Sequence, residues 1–234
     1  MMLNGQNYEA NWNSLDKRPT PQWFKDAKFG IFIHWGLYSV PAWGPKGSYA
    51  EWYLNGLNNG DTARLRYHHA NYGKDFPYWK FIDLFKAENY DPDKWAAIFK
   101  RSGAKYVVLT SKHHDGFCLW PSRESKGYNS VNGGAGRDLL GELNGSLKKV
   151  GLKSGLYYSL YEWDHPDYPE NISDYVDKYM LPQFKDVVQR YKPDIIFFEG
   201  WCVGAKPQLP KDLRKPINIL EKFEDTKLTW RKKV

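Results

Sequence analysis

An α/β fold built on a parallel sheet with covering helices is predicted by two observations in this 234-residue sequence. From residue 92 onward, helix-like and strand-like segments alternate, the order that builds parallel sheets. Several apolar runs also stop abruptly in polar, chemistry-bearing groups. Barrels and open α/β enzymes place their functional groups at strand carboxyl ends in this way. The clearest case is residues 105–117, where a β-branched run ends in Lys112, His113, His114 and Asp115. A core would not accept those four groups unpaired. Residues 28–36 repeat the grammar and end on His34 and Trp35.

The elements follow in order. Residues 29–34 read as the first strand. Pro92 after Asp91 is a good helix entry, and residues 94–101 continue as an amphipathic helix that Gly103 ends. A strand follows at 106–110, then a helix at 137–149 closed by Gly151. The next strand is 155–161. Ser173 caps a longer helix running to Tyr191, and 193–200 supplies a further buried strand. The rhythm stops after Trp201, leaving residues 202–234 as an irregular, partly proline-rich tail with at most one short helix. The chain is expected to form a single domain over 1–234.

Composition narrows the function classes. Aromatic residues make up 17%, including 11 Trp and 17 Tyr, a content that favours flat ligands or sugar faces. The formal net charge is +7, but the lysines are scattered and only residues 230–234 are densely basic. No nucleic-acid-binding signature accompanies them, and nucleic acid is not an expected partner. Two cysteines, Cys118 and Cys202, cannot make a disulfide framework. No signal-like start and no apolar run of membrane-spanning length is visible. The expectation is a cytoplasmic chain without a membrane partner, or a secreted or periplasmic one if a leader has been removed.

In a parallel closed sheet the strand ends converge on one mouth. Here they carry His34 and Trp35; His113, His114 and Asp115; Tyr157, Tyr158, Glu162 and Trp163; and Glu199, with Trp43, Glu51, Trp52 and Tyr53 from the first loop. A metal centre is disfavoured, because adjacent histidines on an extended chain point apart and no ligand spacing is present. Ser/His/Asp chemistry lacks a nucleophile elbow. A non-catalytic binding cleft and a glycosidase site both stay open. Lys112 and Asp115 are expected to pair with each other, and Glu162 to cap the loop that follows it. Strand neighbours alternate, so one of Tyr157 and Tyr158 faces the core and the other the cleft; Tyr158 is assigned to the cleft, with the reverse open.

Residues 23–41 resemble the amino-terminal signature of the α-L-fucosidases, glycoside hydrolase family 29. So do Glu51–Tyr53 (Glu-Trp-Tyr) and residues 106–117, 137–139, 155–159 and 191–194, in the family's order. The resemblance implies a (β/α)-barrel (TIM-barrel-like) catalytic domain without a cofactor or metal, and retaining release of terminal α-L-fucose from fucosylated glycans. It implies that His34, His113 and His114 hold fucose hydroxyls, with Glu51, Trp52 and Tyr158 lining the pocket. The nucleophile position falls on Glu199, where the family pattern has aspartate. The family's later segment, which supplies the acid/base carboxylate, has no match here, so the acid/base stays unassigned. An eight-stranded barrel takes roughly 200–250 residues or more, and only the first half of its strands is legible. The alternative expectation is a catalytically impaired or inactive fucose- or glycan-binding relative, or a truncated fragment, and a homo-oligomer completing the half-barrel is the expected form of association.

Overall fold

A computed structural model describes residues 11–15, 17 and 19–199. The expected tail at 202–234, and Cys202 with it, lies outside them. Four parallel strands, β1 (Gly30–Ile33), β2 (Tyr106–Lys112), β3 (Lys153–Ser159) and β4 (Ile195–Glu199), pair in the order β1-β2-β3-β4. Sequential parallel neighbours are how a barrel winds, and the sheet is a partial (β/α) barrel. The expected strands are all present, with ends shifted by at most two residues.

The helices that cover the sheet start where short polar side chains can hold free amides. Pro92–Arg101 begins after Asp91, whose carboxylate accepts from the Lys94 amide at 2.9 Å. Leu139–Lys149 begins after Asp138, which accepts from the Gly141 amide at 2.8 Å. Both are N-caps of the ordinary kind. The helix expected from Ser173 to Tyr191 is interrupted. It opens at Ile172–Asp174, widens through one broad turn at Tyr175–Met180, and resumes as Leu181–Tyr191. Pro182 explains the break, since it has no amide hydrogen to bond one turn back and its ring crowds that carbonyl. Two helices absent from the sequence reading, Tyr53–Asn58 and Thr62–Tyr72, fill the long β1–β2 connection.

Side chains sort cleanly onto the two faces. Ile31 and Ile33, Val107 and Leu109, Leu156 and Tyr158, and Ile196 and Phe198 pack with the helices in the main core. Val108, Tyr157 and Ile195 form a smaller inner cluster, floored by Trp23, Phe24 and Tyr106. Gly155 lies between Val108 and Ile195, where an added Cβ would come within 2.8 Å of both side chains. Its lack of a side chain lets the inner floor close.

One irregularity positions the site. Thr110 pairs with Tyr157, yet Lys112 pairs with Tyr158, so Ser111 is an extra residue in β2. Such an insertion reverses the alternation beyond it. Lys112 joins Tyr158 on the helix side, and His113 falls on the inner side beside Tyr157.

Candidate functional site: a pocket of imidazole and indole rings

At the carboxyl end of the sheet, rings from three connections meet. His34 follows β1, and its ring centroid is 5.6 Å from that of His113 and 5.1 Å from that of Tyr157. His113 lies nearly parallel to Tyr157 at 5.8 Å and edge-on to Trp163 at 5.8 Å. Trp163 in turn lies 5.3 Å from Trp52. Thus His34, Trp52 and His113 of the expected set share one cluster, joined by Tyr157 and Trp163. Glu51 stands next to Trp52 in the short turn Ala50–Trp52, and its charge is felt at Tyr38, whose ring packs on His113 at 5.4 Å. The Tyr38 phenol is raised well above its ordinary value, first by burial, then by Asp115, and more weakly by Glu51.

Hydrogen bonds tie the histidine-bearing segments together. The Thr110 hydroxyl accepts from the Trp35 amide at 2.9 Å and donates to the Trp35 carbonyl at 2.8 Å, carrying the β1–β2 pairing past the strand. The Trp163 amide donates to the His114 carbonyl at 2.8 Å. His114 donates from Nδ1 to the Tyr161 carbonyl at 3.0 Å, which fixes its tautomer. His114 itself is fully enclosed between Tyr161 and Trp163 and forms the back of the wall. The two neighbouring histidines do not point apart, because the chain leaves the strand at Lys112 and turns, with the Gly116 amide on the His113 carbonyl at 3.1 Å.

Burial keeps His113 neutral. His113 is buried, and its pKa is pushed well below the usual imidazole range by burial and by the neighbouring His114 and His34. A neutral imidazole offers one donor and one acceptor, the pairing a sugar hydroxyl needs. Its Nδ1 has no hydrogen-bond partner among the described residues.

Three expectations are corrected. Tyr158 does not line this pocket. It is fully enclosed on the helix side, where its hydroxyl donates to Gln183 Oε1 at 2.7 Å, and Tyr157 takes the pocket position. Lys112 pairs with Glu162 and not with Asp115: Nζ sits 2.7 Å from Oε1, with both side chains buried. Glu162 therefore caps no loop, and it also accepts from the Tyr179 hydroxyl at 2.7 Å. Gly116 makes room for this carboxylate. At φ +77° it holds a left-handed conformation, and a Cβ there would come within 2.7 Å of Glu162 Oε2. Asp115 instead accepts from the Tyr78 hydroxyl at 2.7 Å and the Phe117 amide at 3.2 Å, and burial raises its carboxyl to about 6. The Glu199 backbone ends β4 in register with Ser159, at the same end of the sheet as His34 and His113.

The sequence model of the alpha-L-fucosidase family matches residues 2–232. The chain is 44% identical to an alpha-L-fucosidase of Dictyostelium discoideum over 210 residues, covering 85% of this chain and 45% of the relative. Tissue alpha-L-fucosidase of Homo sapiens is 44% identical over 199 residues, 82% of this chain and 42% of that protein. Among solved structures, Thermotoga maritima alpha-fucosidase in complex with fucose superposes with a TM-score of 0.78 at 39% identity, over 97% of this chain and 57% of that one. The chain thus spans about half the length of the curated relatives it matches. With a parallel half-barrel whose strand ends carry this ring pocket, the chain belongs to the alpha-L-fucosidase family.

Proposed function

We propose that the pocket binds a terminal α-L-fucosyl group and that the chain serves its retaining hydrolysis from glycans. The observation that carries this reading is the convergence of His34, neutral His113, Tyr157, Trp163 and Trp52 at one end of the sheet. Neutral imidazoles exchange hydrogen bonds with hydroxyls, and indole faces pack on sugar C–H groups. Glu199, at the end of β4, is the candidate nucleophile. Retaining chemistry also needs a second carboxyl group about 5–5.5 Å away, and we assign none.

Release of nitrophenol from an aryl α-L-fucoside by this chain, abolished in Glu199→Gln, is the expected result. Undiminished turnover in that variant removes Glu199 from the mechanism. Fucose binding without turnover is the second reading, since no second carboxyl group is assigned beside Glu199. Association of two chains is the matching proposal for the open sheet. Among the described residues β1 and β4 are the outer strands of the sheet, and Phe32 on the inner face is 42% exposed. A strictly monomeric species in sedimentation counts against association.

A further inference from the structure

Trp52 reaches the ring pocket from a short turn, Ala50–Trp52, and the helix Thr62–Tyr72 holds that turn. Its Arg64, Tyr67 and His68 stand at i, i+3 and i+4, the spacing that puts side chains on one helix face. Each grips a different point of the chain leading through the turn. Tyr67 stacks on Trp43, with ring centroids 4.4 Å apart and planes 6° from parallel. Arg64 donates from one terminal nitrogen to the Ser48 hydroxyl at 2.6 Å and to the Tyr49 carbonyl at 2.8 Å. His68 accepts at Nδ1 from the Tyr53 hydroxyl at 3.1 Å, since its Nε2 donates to the Phe76 carbonyl at 2.7 Å. Tyr49 and Tyr53 flank the turn directly, so it is pinned on both sides. The Tyr49 carbonyl also accepts from the Trp52 amide at 3.2 Å. Arg64 therefore holds the atom on which the Trp52 backbone hangs.

These contacts are more directional than cohesion of the helix requires. Arg64 is 5% exposed, and its other terminal nitrogen is anchored at 2.8 Å on Asp61, the residue that caps the helix. A buried ion pair gains little net stability over apolar side chains of similar size. Its planar fork, however, fixes partners in angle as well as distance. Gly56 makes room for it, because a Cβ there would come within 2.4 Å of Arg64 Cδ. Glycine inside a helix is otherwise a poor choice.

We infer that Arg64 is a positioning residue, the centre of a clamp with Tyr67 and His68 that sets Trp52, and Glu51 beside it, against the ring pocket. It acts through the turn and not by touching a ligand. The inference rests on the fucose-binding reading of that pocket and adds a residue that shapes it from outside.

The test follows the turn and the sugar separately. The Trp52 and Trp163 rings, 5.3 Å apart with planes at 52°, couple their ultraviolet transitions. The circular-dichroism difference between the parent chain and Trp52→Phe isolates that signal, and calorimetric titration reads L-fucose affinity. Arg64→Lys keeps a charge beside Asp61 but not the fork. It should lose most of the Trp52-dependent signal and weaken L-fucose binding on the order of tenfold, the scale of one well-placed contact. Ser48→Ala, at an exposed position, removes one arm and should move both readouts the same way by a smaller step. Asp91→Ala uncaps another helix; it should lower the melting temperature by a few degrees and move neither readout. A Trp52-dependent signal that survives both Arg64→Lys and Ser48→Ala overturns the clamp, as does a parent chain without that signal. A lost signal with unchanged L-fucose affinity overturns its part in recognition, and equal losses in Asp91→Ala reduce Arg64 to a structural residue. If the parent chain binds no L-fucose, the fucose reading falls, and the Trp52 signal alone decides the clamp.

Discussion

On the helix-covered face of β3, Tyr158 is fully enclosed, bonded through its hydroxyl to Gln183 and overlaid by the Lys112 ammonium 4.4 Å from its ring. One residue earlier, on the inner face, Tyr157 stands among His34, His113 and Phe32, with its hydroxyl on Ser159 at 3.0 Å. On the outer face the Lys112 charge is paired with Glu162 and the Tyr158 hydroxyl is bonded within the protein. The inner face gathers imidazole, phenol and indole rings, and His113 Nδ1 there has no hydrogen-bond partner among the described residues. Stability and recognition are thus assigned to opposite faces of the same strands, a few ångströms apart.

That division can be broken from either side. The largest effect is expected from Lys112→Met, which leaves Glu162 charged and buried; loss of one partner of a buried pair costs about 3–5 kcal/mol, read from urea unfolding. Asp115 comes next. Its carboxyl is raised from 3.8 to about 6 by burial, so its contribution to stability is full below pH 3.8 and is lost as pH rises through about 6. The loss is on the order of 3 kcal/mol, and Asp115→Asn should flatten the stability profile across that window. Tyr158→Phe should cost about 1–3 kcal/mol by leaving Gln183 short of a donor, with fucose affinity unchanged. Tyr157→Phe loses its bond to Ser159 and should also weaken fucose binding, which Tyr158→Phe should not. A loss of fucose affinity in Tyr158→Phe contradicts the comparison. The smallest effect is an absence: because His113 is held neutral by burial and its imidazole neighbours, fucose affinity should stay flat from about pH 8 down to about pH 5.5, through the range where an ordinary histidine titrates.

Much of this was legible in the residues. The four strands, their common direction and the capped helices after Asp91 and Asp138 follow from apolar runs, Pro92 and the closing glycines. So does the gathering of His34, His113 and Trp52, since parallel strand ends face one way. What escaped is non-local. The choice between Tyr157 and Tyr158 depends on which face the helices cover, which alternation alone cannot decide. The parity change after Thr110 comes from one extra residue, Ser111, that carries no sequence signal. The partner of Lys112 lies 50 positions away, at Glu162. The helices Tyr53–Asn58 and Thr62–Tyr72 were hidden for a different reason. Their buried side includes Arg64 and His68, bonded to Asp61 and to the Phe76 carbonyl, so the pattern of apolar residues is weak.

The Thr110 hydroxyl, bound to both the amide and the carbonyl of Trp35, bears on the timing of recognition. Because main-chain atoms are locked on either side of it, the spacing of His34 and His113 is settled when the chain folds. On the proposed reading, a sugar reaching the pocket would meet groups already in place, and the ordering entropy would not be charged to the encounter. Binding should therefore proceed in one kinetic phase whose observed rate climbs linearly with sugar concentration, without the plateau that a preceding rearrangement imposes.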